Sequence, residues 1–505
     1  MNFVNRLSLL GLVLAPFIAS AAERAEVDFA FVREQAKARA EAAYAAPSED
    51  LPKALASIGY DRYRSIRFAP EHSFWRDDRL PFTLQFFHLG GLFRTGVKVH
   101  EFSPTHVQEI PFSSDLFDYG PEGVPGRLPA SLGYAGFRVH APINRPEYYD
   151  EVLAFLGASY FRAVAAGQVY GLSARGIAVN SGVNDRPEEF PRFTDFWIGK
   201  PQADDTALTI YALLDGPSVA AAYQFIINPG ETTLMEVKVA VFARQPIETL
   251  GIAPLTSMFW YGENTDRPSG QPRPEVHDSD GLLLEMQDGA TTWRPLRQVG
   301  HLEATSYPII NNALKRFGLF QRDRDFGHYE DPEARYDIRP SAWVEPVSGF
   351  EAGAVRLVEL TPEKEYGDNI VAYWVPAEPV AAGQMREFSY RLAWANDLPV
   401  NPRVARVNAT WQGKSSDHAG GDTVWIDFVG EAFADLGDAE PTVDLQVGAG
   451  VGVRHQTLIR LPKNRGWRVA LQIGATEAGG STDMSCRLLR GFEPLSERWS
   501  YTWQP

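Results

Sequence analysis

The sequence predicts a mainly β protein: a large N-terminal antiparallel β-sandwich followed by a C-terminal immunoglobulin-like β-sandwich. Three observations predict it. Short runs of alternating apolar and polar residues recur along most of the chain, each closed by Gly, Pro, Asn or Asp. Helical periodicity is confined to two segments. After the linker-like stretch Asn396-Asp-Leu-Pro-Val-Asn-Pro402, the rest of the chain carries closely spaced alternating strands, which suits an immunoglobulin-like sandwich of about 100 residues. The expected division is therefore a leader over 1–21, a large sandwich over 22–396 and an immunoglobulin-like unit over 397–505.

The elements follow in chain order. Met1 to Ala21 reads as a Sec-type secretory signal, with Arg6 as its positive region, Leu7 to Ile18 as its apolar run and Ala19-Ser20-Ala21 as its cleavage site. That run is shorter than the roughly 20 apolar residues a membrane span needs. It has no twin arginine, and no cysteine follows to carry a lipid. No later segment is apolar enough to span, so the expectation is an exported protein without a transmembrane segment, periplasmic in a bacterium with two membranes. Asp28 is placed to cap a helix through Val32, Ala36 and Ala40. A second helix is expected after Pro146, with Tyr149, Val152, Leu153, Leu156 and Tyr160 on one face. Strands are expected at Leu84 to Leu89, Gly136 to His140, Ala207 to Leu214, Ala221 to Ile227, Thr233 to Ala243, Ala354 to Leu360 and Asn369 to Trp374. In the C-terminal part, Val424, Ile426 and Phe428, then Val443, Leu445 and Val447, then Trp467, Val469, Leu471 and Ile473 alternate with their neighbours. Gln412 to Asp422, polar and Gly-rich, is expected to be a mobile loop able to reach across a cleft.

Composition removes whole classes of function. The single cysteine, Cys486, excludes an intramolecular disulfide, Cys-based zinc ribbons and iron–sulfur centres, and its apolar surroundings predict a packed core thiol. The 64 acidic and 48 basic side chains give a formal charge of −16, which opposes binding to nucleic acid. A neutral polymer such as a glycan is indifferent to that charge. The chain has no Gly-x-Ser-x-Gly elbow, Walker loop, dinucleotide-binding fingerprint or His-Glu-x-x-His, and its 10 histidines are scattered without ligand spacing. Neither a metal nor a cofactor is expected.

What remains is a concentration of carboxylates, aromatics and arginines between Ser257 and Trp374. Aromatic faces stack on sugar rings while carboxylates and Arg take hydroxyls. Glycoside cleavage needs a protonated carboxylic acid for the leaving oxygen and a second carboxylate to activate water or attack directly. Residue types by themselves supply too many candidates to choose a pair.

Motifs spread along the chain resemble the periplasmic glucan biosynthesis proteins of the G/D type. They are Tyr148-Tyr-Asp-Glu-Val152, Phe155-Leu-Gly-Ala-Ser-Tyr-Phe-Arg162, Tyr170-Gly-Leu-Ser-Ala-Arg-Gly176, Ser257-Met-Phe259, His277-Asp-Ser-Asp-Gly281, Arg339-Pro-Ser-Ala-Trp343, Asp368-Asn-Ile-Val-Ala-Tyr-Trp374 and Ser496-Glu-Arg-Trp-Ser-Tyr501. The resemblance implies a galactose-mutarotase-like supersandwich with an immunoglobulin-like domain, acting on the β-1,2-linked backbone of osmoregulated periplasmic glucans with inversion. It implies Asp368 as general acid and Asp278 as general base. Tyr336 and Arg339 match family cleft positions, and with Glu365 they are expected to orient acid and substrate. Asp368 must keep its proton well above the usual carboxylate range of about 3.9, through burial or a nearby negative charge that Glu365 could supply. Asp280 is a candidate for substrate contact or a turn cap. Trp260 and Trp343, like Trp75, Tyr261 and Trp374, are candidates for sugar platforms or for core. Arg339 could fork onto hydroxyls or pair with Asp337. The partners implied are the β-1,2-linked glucan and, if the chain is a non-catalytic binding protein, a membrane glucan glucosyltransferase.

Overall fold

A computed structural model describes residues 27–504 apart from 49–50, 125, 184–185, 362–364, 400, 416–420 and 477–480. The secretory signal expected over Met1 to Ala21 lies outside the described residues, as does the middle of the expected Gln412 to Asp422 loop. Two large sheets dominate. A ten-stranded sheet runs in the order Thr83–Phe87, Gly136–Arg145, Tyr148–Leu156, Tyr160–Ala163, Ser173–Arg175, Leu250–Ser257, Ile370–Pro376, Gly353–Glu359 and Glu303–Ile309, with Ile177–Val179 paired beside the Leu250–Ser257 strand. Facing it, a fifteen-stranded sheet includes the antiparallel run Leu208–Asp215, Val219–Asn228, Thr233–Ala243, Met385–Ala395, Ser341–Ser348, Leu314–Phe320 and Gly281–Met286.

Alternation explains the layering. Phe137, Phe155, Leu255 and Trp374 from the first sheet and Ile210, Phe225, Val239, Leu284 and Trp394 from the second are each at most 1% exposed and share one apolar cluster. Burying side chains of this size removes roughly 25 cal/mol of unfavourable hydration per Å² of apolar surface, and that holds the two sheets together. The capped helix forms as expected at Phe29–Glu41, where the Asp28 carboxylate accepts from the Phe31 amide at 2.8 Å. Its Val32 and Ala36 pack on Trp197 and Leu213 at the back of the second sheet. Among the described residues, no helix is long and apolar enough to cross a membrane.

The second expected helix is a strand. Tyr148–Leu156 forms a hairpin with Gly136–Arg145 around Pro146 and Glu147, closed by the Arg145↔Tyr148 pair, and it is bonded on its other side by Tyr160–Ala163. Its spacing of apolar residues fits both periods. Two flanking strands decide the matter by satisfying the backbone on both edges, and Gly157 and Ala158, both at positive φ, turn the chain at its end. The remaining strands form where expected, with shifted ends; Thr233–Ala243 matches the expectation residue for residue.

Beyond Asn396, the strands Arg406–Lys414, Asp422–Val429, Gly466–Ala475 and Val451–Arg460 form a separate four-stranded sheet. Its inward Val424, Ile426, Phe428, Val469 and Leu471 pack against Cys486, Leu488, Trp499 and Tyr501. Those last residues lie on strands that join the large sheet through the parallel pairs Thr292↔Arg498 and Trp293↔Trp499. The C-terminal sandwich therefore borrows one of its layers from a sheet continuous with the N-terminal part. Cys486 is fully buried, and burial pushes its thiol up to about 12, as a packed core thiol requires. Gln412 and Asp422 are bonded to each other at 3.0 Å on neighbouring strands, because the two ends of the expected loop extend the hairpin.

Candidate active site

Asp278 follows the short strand Val276–His277, which pairs with Phe259–Tyr261, and its amide donates to the Met258 carbonyl at 2.8 Å. Asp368 lies just before Ile370–Pro376, a strand inside the ten-stranded sheet. The residue that links the two segments is Asn369. Its side-chain oxygen accepts from the Phe259 amide at 2.9 Å, while its nitrogen donates to the Phe259 and Leu360 carbonyls at 3.0 and 3.1 Å. This buried amide acts like one rung of a β-ladder, tying the Asp368 loop to Phe259–Tyr261, the strand paired with the one that precedes Asp278.

Both aspartates line one cleft of about 550 Å³, together with Arg162, Tyr170, Arg273, Tyr336, Arg339 and Glu365. Arg339 is the hinge of its electrostatics. It precedes Pro340 and is extended, at φ −75° and ψ 145°. Its guanidinium lies 4.1 Å from the centroid of the Tyr336 ring, donates twice to the Ala334 carbonyl at 2.9 and 3.1 Å, and pairs with the Asp278 carboxylate. Gly171 makes this possible, since a Cβ there would sit 2.8 Å from the Cβ of Arg339. Asp337 is taken instead by Arg335, at 2.9 and 3.0 Å, so the alternative partner for Arg339 does not form.

Glu365 lines the cleft but is already paired. Arg273 forks onto both of its oxygens at 2.6 and 2.9 Å, and the Tyr336 hydroxyl donates to it at 2.8 Å. Arg273 above all, with Tyr336 helping against partial burial, holds the Glu365 carboxyl below its usual range. Neutralised in this way, Glu365 does not supply the charge that raises Asp368. Asp368 has surface open to the cleft, but the cleft walls crowd its carboxyl. That crowding raises its pKa first; Arg162 opposes it, and the negative charge of Asp278 raises it further.

Three sequence candidates fall elsewhere. The Asp280 carboxylate accepts from the backbone amides of Arg322 and Asp323, at 2.7 to 3.1 Å, and does not line the cleft. Trp343 is 6% exposed and stacks on Phe320 in the C-terminal core, and Trp260 packs beside Tyr261 in a small cluster behind the cleft. Trp75, Tyr261 and Trp374 are likewise buried.

Comparison with known proteins completes the picture. The family model described as periplasmic glucan biosynthesis protein, MdoG, matches residues 27–503. The chain belongs to this family. It is 43% identical over 484 residues to the glucans biosynthesis protein G of Ralstonia nicotianae, covering 94% of this chain and 95% of that one. It is 41% identical over 519 residues to the glucans biosynthesis protein D 1 of the same organism (97% and 95%), and 41% identical over 475 residues to the protein G of Bradyrhizobium diazoefficiens (94% and 93%).

In this member of the family the cleft also holds residues that the sequence did not single out. Arg162, Tyr170 and Arg273 sit inside or beside quoted motifs, but nothing local distinguishes them among 48 basic and 19 Tyr residues. Asn369 adjoins the acid candidate, and its position next to a strand start is the one signal it offered. Beneath Asp278, the buried Glu275, His277 and Asp323 could gather round an ion by distance. The hydrogen bonds argue otherwise. His277 Nε2 meets Glu275 at 2.9 Å, and Nδ1 meets the Gln321 Oε1 at 2.9 Å, the amide being oriented by its Nε2 donating to the His277 carbonyl. Both ring nitrogens are then donors. Burial alone would depress the imidazole, but Glu275 outweighs it and His277 rises to about 9.

Proposed function

We propose that the protein acts in the periplasm on the β-1,2-linked glucan backbone, as an inverting endo-glucanase or transglycosylase. The observation that carries the reading is one cleft containing two aspartates in unlike surroundings, Asp368, whose pKa is pushed upward, and Asp278, ion-paired to a guanidinium. In this mechanism Asp368 gives its proton to the glycosidic oxygen as the bond to the anomeric carbon breaks. Asp278 takes the proton of the water or sugar hydroxyl that attacks from the opposite face of the ring. Arg339 fixes the orientation of Asp278. Arg273 and Tyr336 hold Glu365 on the cleft wall, where its spare acceptor capacity meets substrate hydroxyls. Export through the Met1 to Ala21 signal brings the protein to this substrate.

Incubation of the full chain without its signal with linear β-1,2-glucan should give shortened or transferred products, resolved by mass because hydrolysis adds water and transfer does not. Asp368→Asn should reduce turnover by about 100-fold or more, the scale of a general acid's contribution. Unimpaired turnover in that variant sinks the assignment. Glucan affinity with no turnover in the unaltered protein would point instead to a binding partner of the membrane glucosyltransferase.

A further inference from the structure

A second and larger cleft, of about 1110 Å³, opens where the four-stranded C-terminal sheet meets the loop carrying Asp323 and His328. Its chemistry starts from the period of a strand. In Asp422–Val429, the inward Val424, Ile426 and Phe428 are fully buried, which turns Thr423, Trp425 and Asp427 outward. Such an outward face is ordinarily polar. Here Trp411 pairs across strands with Trp425, which is 41% exposed, and Asp427 pairs with Arg468. The Arg468 guanidinium lies 4.6 Å from both indole centroids and forks onto Asp427 at 2.7 and 3.0 Å. The arrangement is an aromatic shelf with a donor fork and an acceptor beside it; Trp411, Asp427 and Arg468 line the cleft, and Trp425 continues the shelf beside it on the neighbouring strand.

We propose that this cleft is a second saccharide-binding site, which holds a stretch of the same glucan away from the reacting bond. The proposal rests on the reading of the first cleft as a glucan site. Three features select a saccharide. Exposed indole surface on a sheet face costs solvation unless something covers it, and sugar rings present flat apolar faces of that kind. Sugar hydroxyls both donate and accept, matching Arg468 beside Asp427, and the walls set Asp323, Asp427, Glu431 and Asp438 against Arg460, Lys463, Arg465 and Arg468, a near-balance of charge that suits a neutral ligand. The cleft also exceeds the roughly 300–1,000 Å³ of small-molecule sites, which fits an oligomer. The two clefts are near neighbours. His328 lines the second, Tyr336 lines the first, and the Tyr329 ring packs against both, with centroids 6.3 and 5.6 Å away.

Calorimetric titration of the full chain with linear β-1,2-glucan polymer, and with the β-1,2-linked glucose disaccharide as the short control, tests it. The unaltered protein should show two classes of site for the polymer. Trp411→Ala with Trp425→Ala should weaken one class by about tenfold and leave the other, while Arg339→Ala should weaken the other class alone. Trp425→Ser by itself, at a position 41% exposed and outside the buried core, should give the same change in smaller degree and guards against misfolding of the double variant. Unchanged polymer affinity in both tryptophan variants, or a change in self-association without a change in affinity, overturns the proposal. If Asp368→Asn keeps full turnover, the catalytic reading of the first cleft falls, but the tryptophan-dependent heat still reports on the second.

Discussion

Two aspartates of the same intrinsic acidity meet different surroundings in one cleft. Asp278 is buried and in contact with the Arg339 guanidinium, whereas Asp368 is crowded by the cleft walls and faces the charge of Asp278, with Arg162 opposing the shift. A pair of carboxyls in unlike environments is what divides acid from base in glycoside cleavage. The sign of Arg162's effect gives a test. Removing it in Arg162→Met takes away the stronger of the two cations, Arg162 and Arg175, that hold the Asp368 pKa down, so that pKa climbs and the protonated form persists to higher pH. The alkaline limb of the pH profile of kcat/KM should move upward in that variant; a stationary limb would assign the acid to another group. At this scale the sequence offered residue types and the family motif offered roles. It could not show that Glu365 is spent on Arg273 and Tyr336, because those partners lie in other segments of the chain.

Single elements owe their form to what lies beside them. The Asp28 cap is local, one side chain bonding an amide three residues on, and so it was legible in the sequence. Tyr148–Leu156 was not, since a run of tyrosine, valine, leucine and phenylalanine satisfies helical spacing until neighbouring strands claim both of its edges. The loop carrying Asp368 is a third case. Its placement depends on Asn369, whose buried amide replaces a missing rung against Phe259. Asn369→Ala leaves that amide and carbonyl unpaired, and urea unfolding should show a loss of about 1–3 kcal/mol. As a positioning residue it should also lower kcat more than it raises KM, because Asp368 loses its fixed direction towards the leaving oxygen. A loss of stability with unchanged kcat would reduce Asn369 to a structural support.

Across the molecule, the two sandwiches share a sheet and a buried ion pair. Arg322 forks onto Glu497 at 2.8 and 2.9 Å, lies 3.6 Å over the Trp293 ring and also donates to the Val407 carbonyl at 2.5 Å. Both side chains are under 10% exposed. Glu497→Ala strands a buried guanidinium, and chemical denaturation should show a loss of roughly 3–5 kcal/mol; a loss below about 1 kcal/mol would mean that the pair behaves like a surface bridge. By its sequence alone the chain determined its β class, its capped first helix, its buried thiol and the motifs of its family, since period, caps and composition are properties of neighbours in sequence. Tertiary structure alone decided which carboxyls share a cleft, that Trp343 serves the core, that Asp280 serves the backbone, and that the C-terminal sandwich takes a layer from the larger sheet. Alternation states that one face of a strand is buried. What buries it, and which charge stands opposite, depends on contacts between segments that no local pattern encodes.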